Sequence, residues 1–250
     1  MKKIIYCLVK VFKDSDEAYA DAFLNNGEMY CQALRNFKAI EGNEVRGDRY
    51  EGLILFLQPK DCIISLKLPQ NIEGLPDDEI TITEADLAAP TAVQTTEYDY
   101  YKIYCMYAIA IDDFRFEYST EEERVSLQKE INYRISEQIK IEEKISSELG
   151  NIAIVITNVR KFIDRVKEHC DKEMHHGLVG YFNDEATSTK FQGVESIFRK
   201  RKLYAYQNEY RFAFFATDEL NSETFHVGDL KDIAYKTTVD ELKKSIISLD

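Results

Sequence analysis

Tryptophan is absent from the 250 residues, proline occurs four times, glycine ten times and cysteine five times. So little proline and glycine excludes collagen-like and low-complexity chains. The odd cysteine count (Cys7, Cys31, Cys62, Cys105, Cys170), with no C-x-x-C pair, argues against a disulfide framework, and reduced thiols in a cytoplasmic setting are expected. Cations are scarce as well: 32 Lys and Arg stand against 45 Asp and Glu, a net charge of −13. Binding along an extended nucleic acid depends on Lys and Arg displacing counterions, so it is not expected, and only a local basic patch would admit a phosphate-bearing ligand. No apolar run approaches the roughly 20 residues that a membrane helix needs, so no membrane association is expected. The stretch Ile4 to Val9 is broken by Lys10 with no small-residue cleavage site after it, and reads as a first strand rather than a secretory leader. No G-x-S-x-G, Walker loop, G-x-G-x-x-G or H-E-x-x-H is present.

What is present suffices for a core: 44% hydrophobic against 31% charged residues excludes a disordered chain. Asp14 to Glu17 supplies capping residues for a short helix that stops at Asn25-Asn26-Gly27. Met29 to Leu34, Gly52 to Leu57 and Ile63 to Leu68 read as strands, with a charged, glycine-punctuated stretch over 36–50. The aromatic and β-branched residues from Tyr98 to Ile111 predict a central strand. Pro69 to Pro90 is polar and acidic, and predicts exposed hairpins or loops. From Ser119 to Gly150, Ile131, Ile135, Ile139 and Ile145 recur near helical spacing; an unbroken helix there would be about 45 Å long. It either breaks near Lys140 or projects as an arm that forms a homodimer contact. Further strands are expected at 151–156, 177–182 and 210–216. Strands outnumber strict strand–helix–strand repeats, so the expectation is a single α+β domain over 1–250, with a mixed, largely antiparallel sheet, flanking helices and a helical arm or insertion at 119–150.

Three groupings carry possible chemistry. Arg199-Lys200-Arg201-Lys202 is the densest positive run, followed by Tyr204 and Tyr206; charge plus ring stacking there suits a phosphate-bearing ligand, and the plainer reading is a solvated basic segment. Glu209 and Arg211 lie two apart on an expected strand and share one face, so burial would require charged partners across the sheet; Gln207 and Glu209 also form a Q-x-E pair. His169, Cys170, His175 and His176 crowd one stretch, but adjacent histidines point apart, so no metal is expected and the group reads as a polar helix terminus. Arg46-Gly47-Asp48 reads as a turn, the alternative being a pocket lined by Glu44, Arg46, Asp48, Arg49 and Glu51. Cys105, inside the aromatic strand, reads as a buried hydrophobe.

Two resemblances follow from these residues. Gln207-x-Glu209, with Thr187-Ser188-Thr189 upstream, resembles the Q-x-E and Ser-Thr-Ser elements of ADP-ribosyltransferases. That resemblance implies NAD as cofactor, Glu209 as the catalytic group, Gln207 positioning the acceptor, Ser188 and Thr189 bracing the NAD site, and Arg46 or Arg35 as the early basic residue. Tyr30, Arg199, Arg201 and Tyr204 complete the expected nucleotide site. More of the chain, from Leu24-x-x-Gly27 through Arg46-Gly47-Asp48-x-x-Glu51-Gly52 to Glu209-Tyr210-Arg211, is similar to small bacterial and phage proteins of unknown function that end in an E-x-R strand. The two expectations are therefore an NAD-using transferase, in a toxin or phage-defence setting, and a non-enzymatic acidic protein that binds another protein in phage–host conflict.

Overall fold

The computed structural model describes residues 3–39, 47–67, 79–112, 117–139, 141, 143–216 and 221–244. In chain order these form β1 (Lys3–Phe12), α1 (Glu17–Asn26), β2 (Glu28–Ala33), α2 (Leu34–Ala39), β3 (Leu53–Leu57), β4 (Ile64–Lys67), β5 (Glu79–Ile82), β6 (Thr91–Gln94) and β7 (Lys102–Asp112). The second half contributes α3 (Glu121–Ile139), α4 (Glu143–Leu149), β8 (Ile152–Ile156), α5 (Val159–His169), β9 (Met174–Leu178), β10 (Gly180–Phe182), β11 (Thr189–Lys190) and β12 (Arg199–Arg201). It closes with β13 (Glu209–Phe214), β14 (Glu223–His226), β15 (Ala234–Thr238) and α6 (Val239–Lys244).

The fold is α+β, built on a largely antiparallel sheet with flanking helices. Six strands run in the order β14-β2-β7-β1-β8-β15; β13 pairs with β7, and β9 pairs with β13. Among the described residues the one parallel pairing is β10 with β12. As its composition predicts, β7 is central, although Tyr98 to Tyr100 form a turn before it. β7 also marks a fork. It pairs with β1 over Tyr107 to Asp112 and with β2 at Lys102 and Ile103, while β13 runs along Lys102 to Tyr107. Because β13 overlaps both of the others, β1 and β2 must share the opposite edge of β7 and diverge between Tyr104 and Met106. Lys10 reaches into that gap, its ammonium donating to the Cys105 carbonyl at 2.9 Å and lying 4.2 Å from the Tyr104 ring centre.

Strand alternation divides the core into two layers. Leu8, Tyr104, Met106, Ile154, Tyr210 and Phe212 face Phe23 of α1 and Phe162 of α5. On the other face Val9, Tyr107, Ile109 and Val155 pack under Ile131, Ile135 and Ile139 of α3 and Ile145 of α4. A capping box starts α3: the Glu123 N–H donates to the Thr120 hydroxyl, and the Glu123 carboxylate accepts from the Ser119 and Thr120 N–H groups.

The 119–150 region breaks, the first of its two alternatives: α3 ends at Ile139, Ile141 is not helical and α4 starts at Glu143, and both helices lie on the sheet, where their isoleucine stripe finds an apolar face within the same chain. His175 and His176 are inside β9, whereas α5 ends at His169, so they cap no helix dipole. The charged stretch over 36–50 starts inside helix α2, which ends at Ala39.

Candidate functional site

All six residues of β13 are buried. Tyr210, Phe212 and Phe214 fill the apolar layer beneath α1 and α5, which leaves Glu209 and Arg211 on the opposite face, as the two-residue spacing predicts. There they meet Glu51, which adjoins the apolar strand β3, and Lys200, the middle residue of β12. The Arg211 guanidinium donates from both terminal nitrogens to Glu51, at 2.9 and 3.0 Å, and from Nε to Glu209 Oε1 at 2.7 Å. Its Nη1 also donates to the Ile197 carbonyl. Lys200 donates to Glu209 Oε2 at 2.7 Å and to the Gln207 side-chain carbonyl at 2.9 Å, and lies 3.3 Å from Glu51 Oε1. None of the four charged residues is more than 6% exposed. Two carboxylates and two cations thus close a neutral ring, the arrangement that lets charges survive desolvation.

The electrostatics follow from that ring. Burial pushes the Glu209 carboxyl up, but Arg211 and then Lys200 outweigh it and hold the group far below the ordinary carboxylate range. Burial works against the charged forms of Arg211 and Lys200 too, and the facing carboxylates, Glu209 foremost, more than compensate, so both stay protonated. Cys105, opposite Arg211 on β7, has its thiol pushed up to about 12 by burial and next by the Glu209 charge, so it is no nucleophile at neutral pH. Asn208 makes the entry to β13. It adopts a left-handed φ of 38°, donates from its side chain to the Tyr107 hydroxyl at 3.0 Å, and its carbonyl accepts from the Ala108 N–H at 2.7 Å. Asparagine tolerates that conformation better than most residues, and the turn aims Glu209 inward.

A small cleft reaches the ring from the α4 side. Val9, Val11, Ile145 and Leu149 form its apolar wall, and Gln207, Glu209, Tyr107 and Cys105 its floor. Its volume is about 90 Å³. That is the space of a few water molecules, and both Glu209 oxygens are engaged by cations.

The other expected site residues do not converge on Glu209. Tyr30 is exposed on β2, its hydroxyl accepting from Gln32 at 3.0 Å. Arg35 is exposed on α2. Ser188 donates to Asp61 at 2.5 Å and accepts from the Gln58 N–H at 2.9 Å, and Thr189 pairs with Phe56 in the small sheet β11-β3-β6. Arg46 lies outside the described residues. The cationic run is likewise not one patch, because alternation along β12 turns Lys200 into the ring and Arg199 and Arg201 outward. Arg199 pairs with Glu195 and stacks on Phe191. Arg201 lies 3.5 Å from Asp48 and 3.7 Å from Asp184, over the Tyr50 ring at 4.6 Å. Tyr204 is buried beside it, accepting from Arg201 at 3.3 Å. Among the described residues no three metal-binding side chains converge; His176 instead meets the Tyr210 hydroxyl at 2.6 Å on one face of β9, and His175 meets Tyr101 on the other.

Sequence reasoning did not join Glu51 to the centre. A carboxylate adjoining a continuous apolar strand needs a partner, which is the signal available; the partner's identity, 160 positions away, is not in the local pattern. No family model, curated protein or solved structure matches the chain.

Proposed function

We propose that the chain is a binding protein that engages a basic partner protein, and that Glu209 serves its architecture. The observation that carries this reading is the closed ring: Glu209, the group any transferase chemistry would need free, has both oxygens held by Lys200 and Arg211. The charge balance supports it. Among the described residues four acids (Asp48, Glu51, Asp99, Glu209) and three bases (Lys102, Lys200, Arg211) are buried, which leaves all but one unit of the net −13 on the rest of the chain. Acidic charge of that size attracts cationic proteins and raises their association rate. The partner is a different protein and not a second copy joined through 119–150, since the isoleucines of that region are covered by the chain's own sheet. Five free cysteines fit a reducing, cytoplasmic setting. No helix among the described residues is long and apolar enough to cross a membrane.

Calorimetry with NAD is expected to give no heat, and the protein no NAD hydrolysis, while a panel of lysine-rich peptides binds with an affinity that falls as salt is raised. Saturable NAD binding, or NAD hydrolysis that disappears in Gln207→Ala, overturns this reading in favour of the transferase.

A further inference from the structure

We infer that β9 is the edge at which two copies of this chain join, antiparallel about His176, into one continuous sheet; this goes beyond the reading of the chain as a binder of basic proteins and does not rest on it. β9 is an outer strand of the main sheet, paired with β13 alone. Its ladder with β13 fixes which way its backbone points. The Val179 N–H donates to the Glu209 carbonyl and the Phe215 N–H to the Glu173 carbonyl, so residues 173, 175, 177 and 179 turn their backbone groups toward β13. Met174, His176 and Leu178 therefore turn theirs outward, where they meet no hydrogen-bond partner among the described residues. All five residues of β9 are partly exposed, whereas all six of β13 are buried.

An outer strand is ordinarily defended against pairing by charge or proline. The other two outer strands of the main sheet carry charge, Glu223 on β14 and Lys236 on β15. Met174-His175-His176-Gly177-Leu178 has no lysine, acid or proline. Gly177 is a second, independent sign. Glycine weakens a strand interior and marks a place where another backbone comes close, yet a Cβ built at Gly177 meets nothing within 4 Å. Among the described residues nothing fills that space.

A second copy fits both features. With His176 on the two-fold axis, Met174 of one copy lies opposite Leu178 of the other and His176 opposite itself, so every outward N–H meets an outward carbonyl. Met174 and Leu178 both pack on the layer that holds Phe212 and Phe214, and the pairing extends that layer from copy to copy. On the other face His175 of one copy lies over Gly177 of the other, in the open space. The two His176 imidazoles adjoin at the axis. Burial first, then Lys167 and His175, holds each below the ordinary histidine value, so they meet uncharged at neutral pH. A foreign strand gains the backbone bonds without this reciprocal fit. The net −13 of each copy opposes the approach, and salt screens that repulsion.

The test is sedimentation velocity on the full-length protein over a range of concentrations, at low and raised salt. A dimer is expected, and raised salt is expected to strengthen it, the reverse of its effect on lysine-rich peptides. Gly177→Lys puts a cation into the open space of each copy while leaving the chain's own packing intact, and is expected to weaken the dimer by about tenfold or more with the unfolding midpoint retained. His176→Pro removes one outward N–H and no bond to β13, and is expected to act in the same direction. Oxidised His176→Cys is expected to give a cross-linked dimer that the unaltered protein does not, because residues opposed in a hydrogen-bonded pair have Cα atoms about 5.5 Å apart. A protein that stays monomeric throughout, a dimer that Gly177→Lys and His176→Pro both leave unchanged, or a dimer without the cross-link overturns the inference. A lysine-rich peptide that protects the amides of 174, 176 and 178 from hydrogen exchange overturns the second copy as occupant. A monomer that binds lysine-rich peptides leaves the binding-protein reading standing without this one, and a dimer that binds none does the opposite.

Discussion

At Glu51, Lys200, Glu209 and Arg211 two carboxylates and two cations sit beneath the surface, whereas at Ile63, Leu66 and Ile80 aliphatic side chains stand in water. Each region reverses the usual partition of polar and apolar groups, and the two differ in whether the reversal is compensated within the chain. In the ring every charge has an opposite charge within 3.3 Å, so desolvation is offset locally and removing any member strands another. On the ribbon of β4 and β5, Leu66 and Ile80 belong to no apolar core cluster of the described residues. The difference separates a centre whose members depend on one another from side chains that the described core does not use.

Substitutions break the comparison in order of size. Glu51→Gln leaves the Arg211 guanidinium without its bidentate partner, and urea unfolding is expected to show a loss of about 3–5 kcal/mol, the cost of stranding one half of a buried pair. The same perturbation on the apolar layer is gentler: Ile135→Val under α3 removes one methylene from a fully buried site and is expected to cost about 0.5–1.5 kcal/mol. Leu66→Ala on the ribbon is expected to stay within about 0.5 kcal/mol of the unaltered protein, as an exposed substitution does. A loss there as large as that of Glu51→Gln would make the ribbon part of the core and remove its distinction from the ring.

Acid sharpens the same contrast. The Glu209 carboxyl is held far below its ordinary value in the folded protein, so the unfolded chain takes up that proton first. Its contribution to stability is therefore fully present above the unfolded carboxylate value of about 4.3 and is lost progressively as pH falls below it. Unfolding midpoints measured from neutral to strongly acid pH are expected to fall less steeply in Glu209→Gln than in the unaltered protein. Parallel acid limbs would show that the ring contributes no pH dependence.

How far the sequence reached differed between local and long-range features. The α+β class, the central β7 and the shared face of Glu209 and Arg211 follow from periods of two and 3.6 residues, which are local. The helix start at Ser119 and Thr120 was legible for the same reason, since a capping box lies within five residues. What failed was convergence. The run Arg199 to Lys202 reads as one patch until β12 alternates it between two faces, and Ser188, Thr189, Arg35 and Tyr30 sit on separate elements. Which of these meet depends on sheet order, and the fork of β7 between β1 and β2 is set by pairings 69 and more positions apart, which no short pattern encodes.

The span of the ring also has a consequence for synthesis. Glu51 and Arg211 are 160 positions apart, so a chain emerging from the ribosome carries the carboxylate long before its guanidinium exists. At about 5–20 residues per second that interval is roughly 8–32 s. Throughout it the segment leading into β3 lacks Arg211 to close on, and locking of the ring is deferred until residue 211 has been made.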